Sequence, residues 1–221
     1  MKVILFGATG MVGQGVLREC LLDEGVTEVL SVGRSCSGIS DGKAKEILQK
    51  DLYDLTGVED RLRGFEACFF CLGVSSSGMK EAEYRRVTYD LTLNIATTLV
   101  RLNPAMTFIY VSGAGTNARS RQMWARVKGE TENALLGVGF EGAYMFRPGY
   151  IQPLHGIESK TKLYQRIYDL MTPFYPVMVK LMRRWVISTE ELGRAMIQVG
   201  RDGAPKHVLE TADLVKIVEG S

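Results

Sequence analysis

Val3, Ile4, Leu5 and Phe6 form an uninterrupted apolar run that stops at Gly7, and two further glycines follow at three-residue intervals, Gly10 and Gly13. An apolar run of this length suits a strand of a parallel sheet covered on both faces, and the glycine breaks it sharply. The pattern then reads as a strand, a tight turn and the start of a helix. Gly10 lets backbone approach a phosphate group without a Cβ in the way, Gly13 lets the helix pack closely on the strand, and the helix amino terminus offers free N–H groups. The turn Gly7-Ala8-Thr9-Gly10-Met11-Val12-Gly13 is therefore a candidate pyrophosphate cradle for a dinucleotide.

Strand-like runs recur at 2–6, about 28–33, about 44–48, 67–72, 106–111 and about 142–147, separated by helical or loop segments. This alternation predicts an α/β fold, a doubly wound parallel sheet with helices on both faces. Val87, Leu91, Ile95, Leu99 and Leu102 mark one face of a long helix that Pro104 closes. A length of 221 residues with 46% hydrophobic content suits a single domain, with the dinucleotide-binding core over 1–150 and a smaller region over 151–221. Gly149 to Gly156 reads as a loop, and 158–184 mixes Tyr, Met, Pro and basic residues without clean periodicity. A substrate pocket, a lid or a contact between two copies in a homodimer is expected there. Pro173 and Pro176 would interrupt a long helix between Tyr164 and Trp185. Ser188-Thr189-Glu190-Glu191 resembles a helix start, and Thr211 begins a last short helix.

Several classes of function are set aside by composition. With 27 Lys and Arg against 25 Asp and Glu, nothing draws the chain to nucleic acid. No stretch reaches the roughly 20 apolar residues of a membrane span, and no secretory-type start is seen, so a cytoplasmic protein is expected. Cys68 and Cys71 lie in one apolar run, where residues three apart point to opposite faces, so they do not share a metal. Neither His155 nor His207 has a partner at ligand spacing, and no metal site is expected.

Arg34 ends the second strand, 21 residues beyond Gly13, where a carboxylate would accept hydrogen bonds from the ribose of NAD. A guanidinium there can pair instead with a 2′-phosphate, which points to NADP or NADPH, the plain alternative being a solvated surface arginine. Asp51-Leu52, just past the third strand, suits the adenine, although a turn aspartate is the plain alternative. Leu72 and Gly73 end the fourth strand ahead of a serine-rich loop. Ser112 ends the fifth, where its hydroxyl can polarise a carbonyl.

Together with Lys128 and Phe146-Arg147-Pro148-Gly149, this set resembles the atypical short-chain dehydrogenase/reductases, a group that includes NAD(P)-dependent epimerase/dehydratase-like proteins. It looks nearest the HIV Tat-interacting, metastasis-suppressor type of oxidoreductase. The resemblance covers most of residues 1–155. It implies a Rossmann fold that binds NADP, with Ser112 and Lys128 in the reaction centre, Lys128 also holding the nicotinamide ribose and Pro148 near the nicotinamide. In that family a tyrosine stands four residues before the lysine, whereas this chain has Trp124. An indole N–H donates a hydrogen bond but does not ionise near neutral pH, so Trp124 is no proton donor. Tyr150 and His155 are the replacement donors to consider, for an unknown small carbonyl or alcohol substrate. The alternative is a non-catalytic NADP-binding module.

Overall fold

The computed structural model describes residues 1–157 and 175–220. Expectations placed on 158–174, including the interruption at Pro173, lie outside the described residues. Seven strands form one parallel sheet in the order β3-β2-β1-β4-β5-β6-β9: β1 (Lys2–Phe6), β2 (Glu28–Gly33), β3 (Ala44–Leu48), β4 (Ala67–Phe70), β5 (Thr107–Val111), β6 (Gly142–Arg147) and β9 (Val208–Glu210). The first six strands fall where the strand-like runs predict them.

Alternation along the strands divides the core into two. Ile4, Phe6, Cys68, Phe70, Phe108 and Tyr110 face one cluster with helix α3 (Leu91–Leu102), and Leu135 of α4 (Met123–Leu136) joins them. Val3, Leu5, Ala67, Phe69 and Ile109 face the other with α1 (Met11–Leu22), α6 (Thr189–Asp202) and α7 (Thr211–Glu219). Burial on both faces explains why β1 carries no polar alternation. Cys68 and Cys71 likewise fall on opposite sides, the first in one cluster and the second packed against the other.

Three regions differ from their sequence reading. The long helix is divided into α2 (Glu81–Arg85), a π turn over Arg86–Asp90, and α3. The extra residue of a π turn rotates the buried face, so Tyr84 and Thr88 take interior positions while Val87 is left at a ligand-sized recess. Tyr150–Gln152 is not loop but strand β7, paired in parallel with β8 (Val186–Ser188). Three residues are too few to show a period, and the pairing is long-range. The short strand β9 escaped notice for the same reason.

A short helix α5 (Tyr175–Met182) carries Pro176 in its first turn, where a missing N–H costs little. The helix start at Ser188 is as expected: its Oγ accepts the Glu191 N–H at 3.1 Å, and the Glu191 carboxylate accepts the Ser188 N–H at 2.8 Å. Thr211 opens the last helix.

Candidate functional site

At the carboxyl ends of β1 and β4, the neighbours where strand order reverses, the chain leaves β1 through Gly7. Its φ of +87° is a conformation that side chains resist. A Cβ at Gly13 would lie 2.0 Å from the Gly7 carbonyl oxygen, so α1 can approach the turn only with glycine there. Gly10 differs. It caps α1 with φ −83°, and the nearest atom to a Cβ added there is the Gly7 oxygen at 3.4 Å. Protein packing thus permits a side chain at Gly10, and the space before it is open. No side chain caps α1, and its first turn holds no acidic residue, so the N–H groups there stay available to an anion.

Three adjoining recesses follow the carboxyl edge. The first, about 580 Å³, is lined by Gly10, Met11, Val12, Leu72, Gly73, Ser112, Trp124, Lys128, Pro148 and Ile151, among others. The second is lined by Gly7, Thr9, Arg34, Leu52 and Leu72, and the third by Arg34, Asp51, Leu52, Leu72 and Gly73. Every sequence-predicted site residue except Gly13 lines one of them, and Gly13 stands behind the cradle. Asp51 also serves as the plain turn residue, its Oδ1 accepting the Tyr53 N–H at 2.9 Å.

At the other end, Lys128 Nζ donates to the Ser112 carbonyl oxygen at 2.7 Å and lies 5.8 Å from the centre of the Tyr110 ring. Burial lowers its pKa to about 8, and the nearby Glu132 carboxylate opposes part of that shift. The Val111 carbonyl oxygen is a second, longer acceptor at 3.5 Å, and of the three donors of an ammonium at least one remains for a ligand. Ser112 Oγ lies 2.8 Å from Thr116 Oγ1. With Thr116 as donor, the Ser112 hydroxyl keeps its own proton for a ligand oxygen.

The walls are held from behind by Glu132 and Glu210, which the sequence reading passed over, together with Arg147 and Thr211, which it named without this role. Glu132, only 2% exposed, accepts from Arg147 Nε at 3.0 Å, and Arg147 Nη1 donates to Glu210 at 3.2 Å. This ties the end of β6 to α4 and β9. The Gly149 N–H then donates to Thr211 Oγ1 at 2.8 Å, and the Pro148 carbonyl accepts from Ala114 at 2.9 Å. The four-residue step from Lys128 to Glu132, one helical turn, was the available signal.

The replacement proton donors do not reach the cleft in this structure. Ile151 lines it, and alternation along β7 puts Tyr150 on the opposite face, where its hydroxyl donates to Gln152 Oε1 at 2.8 Å. His155, at φ +59°, instead faces Glu190, with Nε2 2.8 Å from Oε2. Among the described residues lining the first recess there is no carboxylate, imidazole or phenol.

No protein-family model matches the chain. A protein named "Protein fmp52, mitochondrial" from Emericella nidulans is 24% identical over 206 residues, covering 90% of this chain and 87% of that one. Protein HTATIP2 of Rattus norvegicus is 26% identical over 152 residues, covering 68% of this chain and 62% of the relative. Among solved structures, the Bordetella bronchiseptica enzyme WbmF in complex with NAD+ aligns with a TM-score of 0.67 at 16% identity, over 99% of this chain and 77% of that one. UDP-glucose 4-epimerase of Thermotoga maritima aligns at 0.66 and 14%. The chain resembles the atypical short-chain dehydrogenase/reductases. Its fold is the Rossmann fold of the epimerases and short-chain dehydrogenases among these neighbours. The relatives also bring a correction. Several are named mitochondrial, which overturns the cytoplasmic placement expected above. That expectation rested on the lack of a secretory-type start, which says nothing about delivery to an organelle.

Proposed function

We propose that the chain binds NADPH along the carboxyl edge of its sheet and acts as an oxidoreductase on a small carbonyl compound. The observation that carries this is the meeting of Ser112 and Lys128 in one open cleft with Gly10, Met11, Val12 and Pro148. The N–H groups at the start of α1 would hold the pyrophosphate, and Arg34 the 2′-phosphate. Arg34 is exposed at the end of β2, and its side chain has no hydrogen bond or ion pair among the described residues, so it is free to take an anion.

The cofactor would supply a hydride at the nicotinamide. Lys128 would hold the ribose hydroxyls through the donors not spent on Ser112. Ser112 would hold a substrate oxygen with its hydroxyl proton and so polarise the carbonyl, while Trp124 and Ile151 exclude water from the same wall. The alkoxide that hydride transfer leaves would take its proton from the Lys128 ammonium, whose pKa is about 8, or from water at the open mouth of the cleft, and with no phenol at position 124 the proposed turnover is slow. One observation favours a second reading, a non-catalytic NADP-binding module: no carboxylate, imidazole or phenol lines the first recess among the described residues.

Titration calorimetry with NADPH and NADH tests the binding step. NADPH should bind more tightly, by about tenfold or more for a charge-assisted phosphate contact, and Arg34→Ala should narrow the difference. Equal affinities in the unaltered protein would remove NADP from the reading. Absence of NADPH consumption across a panel of aldehydes and ketones, with binding intact, would leave the non-catalytic module.

A further inference from the structure

We infer that Lys50 is a second cation for the 2′-phosphate and shares with Arg34 the selection of NADPH over NADH. This rests on the proposed NADP site. β2 and β3 run in parallel with Gly33 opposite Leu48, and the Gln49 N–H donates to the Gly33 carbonyl at 2.9 Å. That bond carries the register one step past the strands, so Arg34 follows opposite Gln49 and Lys50 comes one residue later at the same end of the sheet. Both line the third recess, about 210 Å³, whose remaining wall includes the apolar Leu52, Val87 and Leu91 and the Tyr53 ring. Asp51 is the only carboxylate in that lining, and the Tyr53 N–H already engages its Oδ1. The recess therefore joins an apolar slot of a size for a purine to a rim with an excess of positive charge.

The two lysines at the amino-terminal end of β3 are tied into the fold. Lys43 Nζ donates to the Leu21 and Asp23 carbonyls at 3.1 and 2.8 Å, and Lys45 Nζ pairs with Glu28 at 2.9 Å. Lys50 has no hydrogen bond or ion pair from its side chain among the described residues, although it stands beside a second unpaired cation. Two like charges at one rim repel, and a dianion between them reverses the sign. A phosphate monoester carries about −1.5 to −2 at neutral pH, more than one guanidinium neutralises. Arg34 offers a planar pair of donors to two of its oxygens, and the ammonium of Lys50 reaches a third as a point charge.

The test is titration calorimetry with NADPH and NADH on the unaltered chain and on Lys50→Gln and Lys50→Arg, with thermal melts to show that each variant is folded. Lys50→Gln should weaken NADPH about tenfold, the scale of one charge-assisted contact, and leave NADH unchanged, while Lys50→Arg should recover most of the loss. If the unaltered chain prefers NADPH but Lys50→Gln weakens neither cofactor, or both equally, Lys50 is a solvated lysine and the inference falls while the Arg34 reading stands. If the unaltered chain shows no preference for NADPH, the NADP reading falls and takes this inference with it.

Discussion

Lys128 carries the clearest pH signature of any single residue. Burial favours its neutral form, and its pKa falls to about 8 in the free protein. A bound cofactor adds negative charge and ribose oxygens that favour the ammonium, so its pKa rises on binding. Binding then takes up a proton at pH values above about 8, and NADPH affinity should fall as the pH rises through that value, by up to tenfold per pH unit until the pKa of the complex is reached. Lys128→Arg, which does not titrate in this range, should flatten the profile. Titrations at pH 7, 8 and 9 check it, and an unchanged slope in the variant would show that the ammonium is not involved. Trp124 makes the second prediction at this scale. It stands one turn before Lys128 and lines the same recess, so Trp124→Tyr places a phenol beside an ammonium that lowers its pKa. NADPH-dependent reduction of small aldehydes should rise, by roughly 10²–10⁴-fold if the phenol completes general acid catalysis. Fast reduction by the unaltered protein would instead mean that another group donates the proton.

Among the elements, the turn between β1 and α1 separates folding from binding. At Gly10 the nearest atom to an added Cβ is 3.4 Å away, whereas at Gly13 the Gly7 oxygen is at 2.0 Å. Gly10→Val should therefore remove cofactor binding with little change in thermal stability. Gly13→Ala should destabilise the fold by about 1–3 kcal/mol, the usual range for overpacking, measured by denaturant unfolding. Destabilisation by the first variant as large as by the second would mean that both glycines serve packing. This turn was legible because its glycines and apolar strand are local. So were the first six strands, each a run of four to six residues between polar breaks. The three-residue strands β7, β8 and β9 depend on partners distant in sequence, and the π turn that sends Val87 to the recess leaves no mark in hydrophobic spacing. Much of the site could be read for the same reason, since strand ends gather there. Thr116, the choice of Arg147 as partner of Glu132 and the orientation of Tyr150 are tertiary facts, and only the helical step from Lys128 to Glu132 was there to be read.

Across the whole molecule, the cofactor would touch the ends of β1, β2, β3, β4 and β5, and so couple to global unfolding rather than to one loop. At a concentration 100 times its dissociation constant, NADPH should stabilise the native state by about 2.7 kcal/mol. For a domain of this size, that corresponds to a rise in melting temperature of roughly 5–10 °C. Differential scanning calorimetry with and without NADPH measures it, and an unchanged transition would contradict binding to the native state. The β7–β8 pair has another consequence. Tyr150 pairs with Val186 and Gln152 with Ser188, in a two-stranded sheet separate from the seven-stranded one, so both ends of the intervening stretch are held against each other as two adjacent doorposts. The stretch between them thus leaves at Gln152 and returns at Val186, on either side of Ile151, which lines the cleft. The described ends of this stretch are tied to the helices behind, the Leu154 N–H to Thr189 Oγ1 at 3.2 Å and Arg183 to Glu191 and Glu219 at 2.7 and 2.9 Å. Grafting or evolution that replaced the stretch to recognise a different molecule would have to keep those ties.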